Sequence, residues 1–224
     1  MQFDIAKYTG NGGHENGEVA SACAIKYFET HRCSEYSKES LLSLVEGAHK
    51  AVQALNTEAR TTVAACFTSE DMFHYINVGD SRIYYFKNNS LYAQSKDHSV
   101  CQAAVDMGTM AYEDIRTSED RSSLLKVLGN EGELNLKRFY EPIKMEDGDA
   151  FLVCSDGFWE FVYEGEMEAD LLKAGSADEW LNSMLKRQLL RAKNEDDNYT
   201  VICGMISADE KPKKRFSLFG KRKK

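Results

Sequence analysis

Apolar positions along the chain recur with two different periods. Over 19–28 apolar and small residues return every three or four positions, which predicts a closely packed helix. The same period holds over 41–55, where Leu41, Leu44, Val45, Ala48, Val52 and Leu55 share one face and Ser37 stands at the N-cap. From Arg60 the period changes. Strands are predicted over 61–67, 72–78 and 83–86, separated by Ser69-Glu70-Asp71 and Gly79-Asp80-Ser81 and followed by the turn Lys87-Asn88-Asn89-Ser90. Strands joined this closely are antiparallel. Further strands are predicted over 3–8, 150–154 and 199–206. Two late helices are predicted over 164–173 and 177–193, the second turning Trp180, Leu181, Met184, Leu185 and Leu189 inward. The segment 97–120 is polar and weakly patterned, with short helices over 100–107 and 111–115. It reads equally as a functional flap and as an ordinary excursion. The run 124–129 returns to the core.

Two stretches carry candidate chemistry. In Gly148-Asp149-Ala150-Phe151-Leu152-Val153-Cys154-Ser155-Asp156-Gly157-Phe158-Trp159, an apolar run stops abruptly at Ser155-Asp156-Gly157. An Asp at the exit of a buried strand is held rigidly, which suits a hard divalent cation. It also suits a plain turn before glycine. In Asn194-Glu195-Asp196-Asp197-Asn198 an acidic cluster precedes the last strand, so Asp156 and Asp197 meet if their strands are neighbours. Near the start, Thr9-Gly10-Asn11-Gly12-Gly13-His14 is a glycine-rich loop before a helix. It can bind anions, but it is not followed by the Gly-Lys-Ser/Thr of a nucleotide-binding loop. His49 reads as an ordinary helix residue.

The 224 residues suit one domain over 1–208 with a tail over 209–224. Eight of the 28 Lys/Arg lie in 211–224, which has no acid, leaving 20 against 36 Asp/Glu in 1–210. An acidic body argues against nucleic acid as the main partner. The basic tail, with its Phe216-Ser217-Leu218-Phe219, reads as disordered and able to touch anionic lipid or an acidic partner. None of the six cysteines forms a Cys-x-x-Cys pair, so reduced thiols and a cytoplasmic location are expected. No apolar run approaches a membrane span, and the first residues do not form a signal peptide.

Six stretches together resemble one family. They are Gly12-Gly13-His14 with Gly17-Glu18-Val19-Ala20-Ser21; Val78-Gly79-Asp80-Ser81-Arg82; Asp97-His98-Ser99; Leu128-Gly129; Leu152-Val153-Cys154-Ser155-Asp156-Gly157-Phe158-Trp159; and Asp197-Asn198-Tyr199-Thr200-Val201. In order and spacing the chain resembles the metal-dependent PP2C-type (PPM) serine/threonine phosphatases, most closely the short bacterial form, over about residues 9–206. The resemblance implies an α+β fold: a four-layer αββα sandwich of two antiparallel sheets flanked by helix pairs, here with the N-terminal strand region shortened. It implies Mg²⁺ or Mn²⁺ at one edge, and hydrolysis of phosphoserine or phosphothreonine by metal-activated water. Carried over by motif, Asp156 and Asp197 would be ligands of the first metal, Asp80 would lie near a weaker third metal, and Asn198 would support the Asp197 loop. The carbonyl of Gly10 would bind a metal, and 97–120 would be the flap.

The chain also departs from the pattern. In one alignment Thr9 stands where the family has an Asp bridging two metals. In the other, the first nine residues match the family's first strand, and a deletion joins two glycine-rich loops. Either way the bridging Asp, a second acid and a phosphate-binding Arg are absent, which weakens the second metal site most. Two functions follow. One is a protein serine/threonine phosphatase. The other is a catalytically inactive pseudophosphatase, a regulatory module that binds a phosphoprotein or its cognate serine/threonine kinase. A monomer is expected in both cases.

Overall fold

The computed structural model describes residues 2–9, 15–32, 37–55, 58–136, 140–192 and 198–208. Among these, β1 (Gln2–Thr9), β8 (Thr200–Ser207), β7 (Ala150–Cys154), β4 (Arg82–Lys87) and β5 (Ser90–Gln94) form a five-stranded sheet in that order. A second sheet has the order β2 (Val63–Ser69), β3 (Met72–Val78), β6 (Ile143–Lys144). Every pairing is antiparallel. Helices α1 (Glu15–Thr30) and α2 (Lys38–Gln53) pack outside the smaller sheet, and α5 (Glu164–Leu171) and α6 (Ala177–Arg191) outside the larger. Between them in sequence lie the short helices α3 (Val100–Asp106) and α4 (Asp156–Trp159) and a 3-10 turn, Tyr112–Thr117.

Three separate apolar cores fill the three gaps between these four layers. Ala20, Ala24, Val45, Ala48 and Val52 of the first helix pair meet Ile76 and Val78. Phe73, Tyr75, Ile83, Tyr85 and Phe151 fill the gap between the sheets. Tyr84, Phe86, Leu152 and Cys154 meet Trp159, Trp180 and Met184 on the far side. Because successive strand residues point to opposite faces, Ile83 and Tyr85 serve one core and Tyr84 and Phe86 the other. A strand buried on both faces reads as an unbroken apolar run, which is why 83–86 and 150–154 lack alternation in the sequence.

The predicted elements appear with shifted ends, and Ser37 accepts from the Ser40 N–H as the N-cap of α2. His49 is a packed helix residue: its ring bonds the Gly132 carbonyl at 3.1 Å and accepts from the Gly129 N–H at 3.2 Å. Three details differ from expectation. Leu189 is 70% exposed, and the fully buried position on that face is Gln188, one turn beyond Met184. Helix geometry puts the residue four places after Met184 beneath it and rotates Leu189 away. Gln188 is tolerated inside because its amide donates to the Gly157 carbonyl at 2.7 Å. The run 124–129 buries Leu128 but leaves Leu125 exposed. Two strands were not predicted: β5, and β6, which among the described residues pairs with Met72 and Phe73. The five described cysteines are free thiols.

The outer helices are joined by charge. Arg187 holds Asp170 through two bonds of 2.6 and 2.8 Å and Glu166 at 2.8 Å, while Arg191 bonds both Glu166 oxygens at 2.6 Å. The Arg191 hydrogen bonds draw the Glu166 carboxyl down to about 2. A carboxyl depressed on folding contributes stability that is present above its unfolded value, 4.5, and is lost as pH falls through about 2. A Glu166→Gln variant is therefore expected to lose less stability than the wild type across that window, measured by denaturant unfolding at successive pH values.

Candidate functional site

Two loops at one edge of the sandwich carry the acidic residues singled out in the sequence. The first connects β3 to β4 through Gly79, Asp80 and Ser81. Gly79 has φ +96°, and a Cβ there would lie 2.4 Å from the Thr62 side chain, so only glycine fits this turn. The second loop leaves β7, where Ser155 is the last residue before α4 and Asp156 opens its first turn. Register sets the two side by side, because Arg82 pairs with Cys154 across β4 and β7. The Trp159 indole N–H donates to the Asp80 carbonyl at 2.9 Å, pinning one loop to the other. Asp156 Oδ1 accepts from the Gly157 N–H at 2.9 Å.

Asp80 is 6% exposed, and its carboxyl is pushed up to about 7. Burial contributes most, followed by the nearby charges of Asp156 and Asp97. Two crowded carboxylates in a poorly solvated edge repel each other, and an added cation relieves that repulsion. The donors are oxygens, as a hard divalent ion such as Mg²⁺ or Mn²⁺ requires. The residues present therefore fit a metal of this class. Among the described residues, no three His, Cys, Asp or Glu side chains gather into a metal-binding group. Asp197 and Gly10 lie outside the described residues.

The start of β8 reaches the same edge. Val201 pairs with Cys154, the Thr200 N–H donates to Ser155 Oγ at 2.9 Å, and the Ser155 N–H donates to the Thr200 carbonyl at 3.0 Å. The strands expected to bring Asp156 and Asp197 together are thus neighbours. Asn198 is half-buried two residues before Thr200. Thr9, the residue in doubt at the bridging position, pairs with Thr200 at the end of β1.

A buried arginine to which sequence reasoning assigned no role supports this edge from behind. Arg82 is 1% exposed and holds Asp97 through two bonds of 2.8 and 2.7 Å. Its guanidinium lies 3.4 Å from the centre of the Trp159 ring and donates to the Tyr112 hydroxyl at 3.0 Å. Glu164 accepts from that hydroxyl at 3.2 Å and pairs with Arg116 at 2.6 Å. The segment 97–120 is thereby anchored to both acidic loops, and His98 adds a backbone bond to the Gly79 carbonyl at 2.8 Å. An arginine directly after Gly-Asp-Ser, opening a strand buried on both faces, was the available signal.

No family model matches the chain. A serine/threonine phosphatase Stp of Listeria welshimeri is 32% identical over 183 residues, covering 74% of this chain and 69% of that protein. The Staphylococcus aureus serine/threonine phosphatase Stp1 superposes with a TM-score of 0.76 at 23% identity, over 92% of this chain and 84% of that one. The catalytic domain of a serine/threonine protein phosphatase PstP, in complex with two manganese ions, superposes with a TM-score of 0.71 at 25% identity, over 92% and 88% of the two chains.

Proposed function

Since the chain belongs to the PP2C-type, metal-dependent protein serine/threonine phosphatases, we propose that it hydrolyses phosphoserine or phosphothreonine in proteins, with Mg²⁺ or Mn²⁺ at the Asp80–Asp156 edge. The observation that carries this reading is the convergence of those two carboxylates on one part-buried edge, locked by the Trp159 bond to the Asp80 carbonyl. Asp156 and Asp197 would hold the first cation, Asp80 would lie near a weaker third one, and the Gly10 carbonyl would bind a metal at the same edge. Trp159 fixes the Asp80 main chain, the paired bonds of Ser155 and Thr200 fix the mouth of β7 and β8, and Asn198 supports the Asp197 loop. A bound divalent metal lowers the pKa of water and neutralises charge on phosphoryl oxygens. The 97–120 segment, anchored through Arg82 and Glu164, shapes access to this edge as a flap. With no carboxylate at Thr9, the second metal is held more weakly than the first. The chain acts in the cytoplasm; none of its described helices is long and apolar enough to cross a membrane. Its partners are phosphorylated proteins and their kinase.

A second reading has one specific observation in its favour. No carboxylate takes the bridging position in either alignment; in one of them it falls to Thr9, at the end of β1, whose hydroxyl cannot do a carboxylate's work toward divalent ions. On that reading the same edge binds a phosphoprotein or a kinase without turning it over. Phosphate release from a phosphothreonine peptide, with Mn²⁺ and then with excess EDTA, separates the two. The phosphatase reading expects release with Mn²⁺ that EDTA abolishes. A rate equal to the peptide-only background under both conditions would leave the binding module.

A further inference from the structure

The two sheets differ in width, and the difference leaves a slot. Strand β2 packs over β4 and β7, while β8 and β1 carry the larger sheet two strands further. Helix α1 roofs the space beyond β2. The resulting cavity of about 560 Å³ has Ile25 and Phe28 above, the β2 edge at Val63–Cys66 on one side, and the cross-strand partners Val153 and Ile202 below. Two strands at roughly 4.8 Å each make it about 10 Å wide. Ile25 is left 59% exposed. Among the described residues no strand pairs with that edge of β2. A contiguous cavity of about 250 Å³ extends the slot to Ser81, Ser155 and Thr200, next to Asp80 and Asp156. An open sheet edge beside an apolar trough is a template for an added strand.

We infer that the slot is the docking site of this chain's own segment 216–219, Phe216-Ser217-Leu218-Phe219, paired as a strand against β2. Three observations select this occupant. Roof and floor are mainly apolar, with Glu29 and Arg32 of α1 the charged residues of the lining, so the added strand is favoured by apolar residues on both faces; Phe216 and Leu218 supply one face and Phe219 the other. Reach is sufficient: Ala208 lies six residues past Ile202 on β8, about 20 Å at ~3.4 Å per residue, and the eight residues to Phe216 span up to about 26 Å. Charge matches at the far end. Thr62, just before β2, bonds Ser81 at 2.8 Å, so both β2 and β8 start at the acidic edge. A segment returning from Ala208 runs towards that edge, antiparallel to β2, and delivers Lys221 and Arg222 beside Asp80 and Asp156. A second copy of the chain fits less well, because the β2 edge opens into a slot walled by α1 on one side and by β7 and β8 on the other, which admits one extended segment but hinders a whole sandwich.

This inference does not depend on whether the chain turns over phosphoprotein. The test is amide hydrogen exchange on the full chain, compared with a full-length Phe216→Glu/Phe219→Glu variant. The β2 amides of 63–66 that face away from β3 are expected to be protected in the wild type. In the variant they should exchange about tenfold faster or more, while β4 and β7 amides stay unchanged and report an intact fold. Equal exchange at these positions in both proteins overturns the assignment. Protection that persists in the variant and grows with protein concentration overturns it too, in favour of a second copy.

Discussion

Replacing Asp156 with Asn is expected to lower Mn²⁺-dependent phosphate release by about 100-fold or more, since loss even of groups that merely orient metal ligands costs 10–100-fold. The amide keeps the size of the side chain and its acceptor for the Gly157 N–H, but removes the charge that attracts the cation. Stability should move the other way. Asp156 is one of the charges that push the Asp80 carboxyl up, so without metal the neutral side chain relieves a repulsion. The metal-free variant should melt at the wild-type temperature or above, which distinguishes lost chemistry from lost fold. An unchanged rate would remove Asp156 from the site.

Arg82→Met is expected to be the most damaging single change to the fold, costing about 3–5 kcal/mol in urea unfolding, because breaking a buried ion pair strands its partner. Asp97 is 2% exposed and would lose both guanidinium bonds. The substitution also removes the stacking on Trp159 and the bond to the Tyr112 hydroxyl. Asp97→Asn in the same chain should recover part of the loss, since the stranded group is then neutral. A loss below about 1 kcal/mol for Arg82→Met would show that water reaches Asp97, contrary to its burial.

Much of the layering was legible because strand and helix periods differ and because the turns carry strong local chemistry. Ser69-Glu70-Asp71 and Lys87-Asn88-Asn89-Ser90 mark hairpins, and the positive φ of Glu70, Asn88 and Asn89 is where that chemistry is used. Asp80 and Asp156 were legible because each follows a buried strand, which fixes its position. Arg82 was not, since the sequence does not reveal that Asp97, fifteen residues away, closes on it to make a buried charge tolerable. Leu189 misled because hydropathy cannot distinguish it from the interior, whereas Gln188 goes inside only because the Gly157 carbonyl awaits it. Strand β6 was invisible because two residues have no period; its pairing with Phe73 defines it. The slot beside β2 is a property of unequal sheet widths, which no local pattern encodes.

The most direct test of the central claim, that the Asp80–Asp156 edge holds the divalent cation, is a calorimetric titration of Mn²⁺ into the wild-type chain and into an Asp80→Asn/Asp156→Asn variant. Saturable binding to the wild type and none to the variant is expected. Equal heats and equal affinities for the two proteins would contradict it.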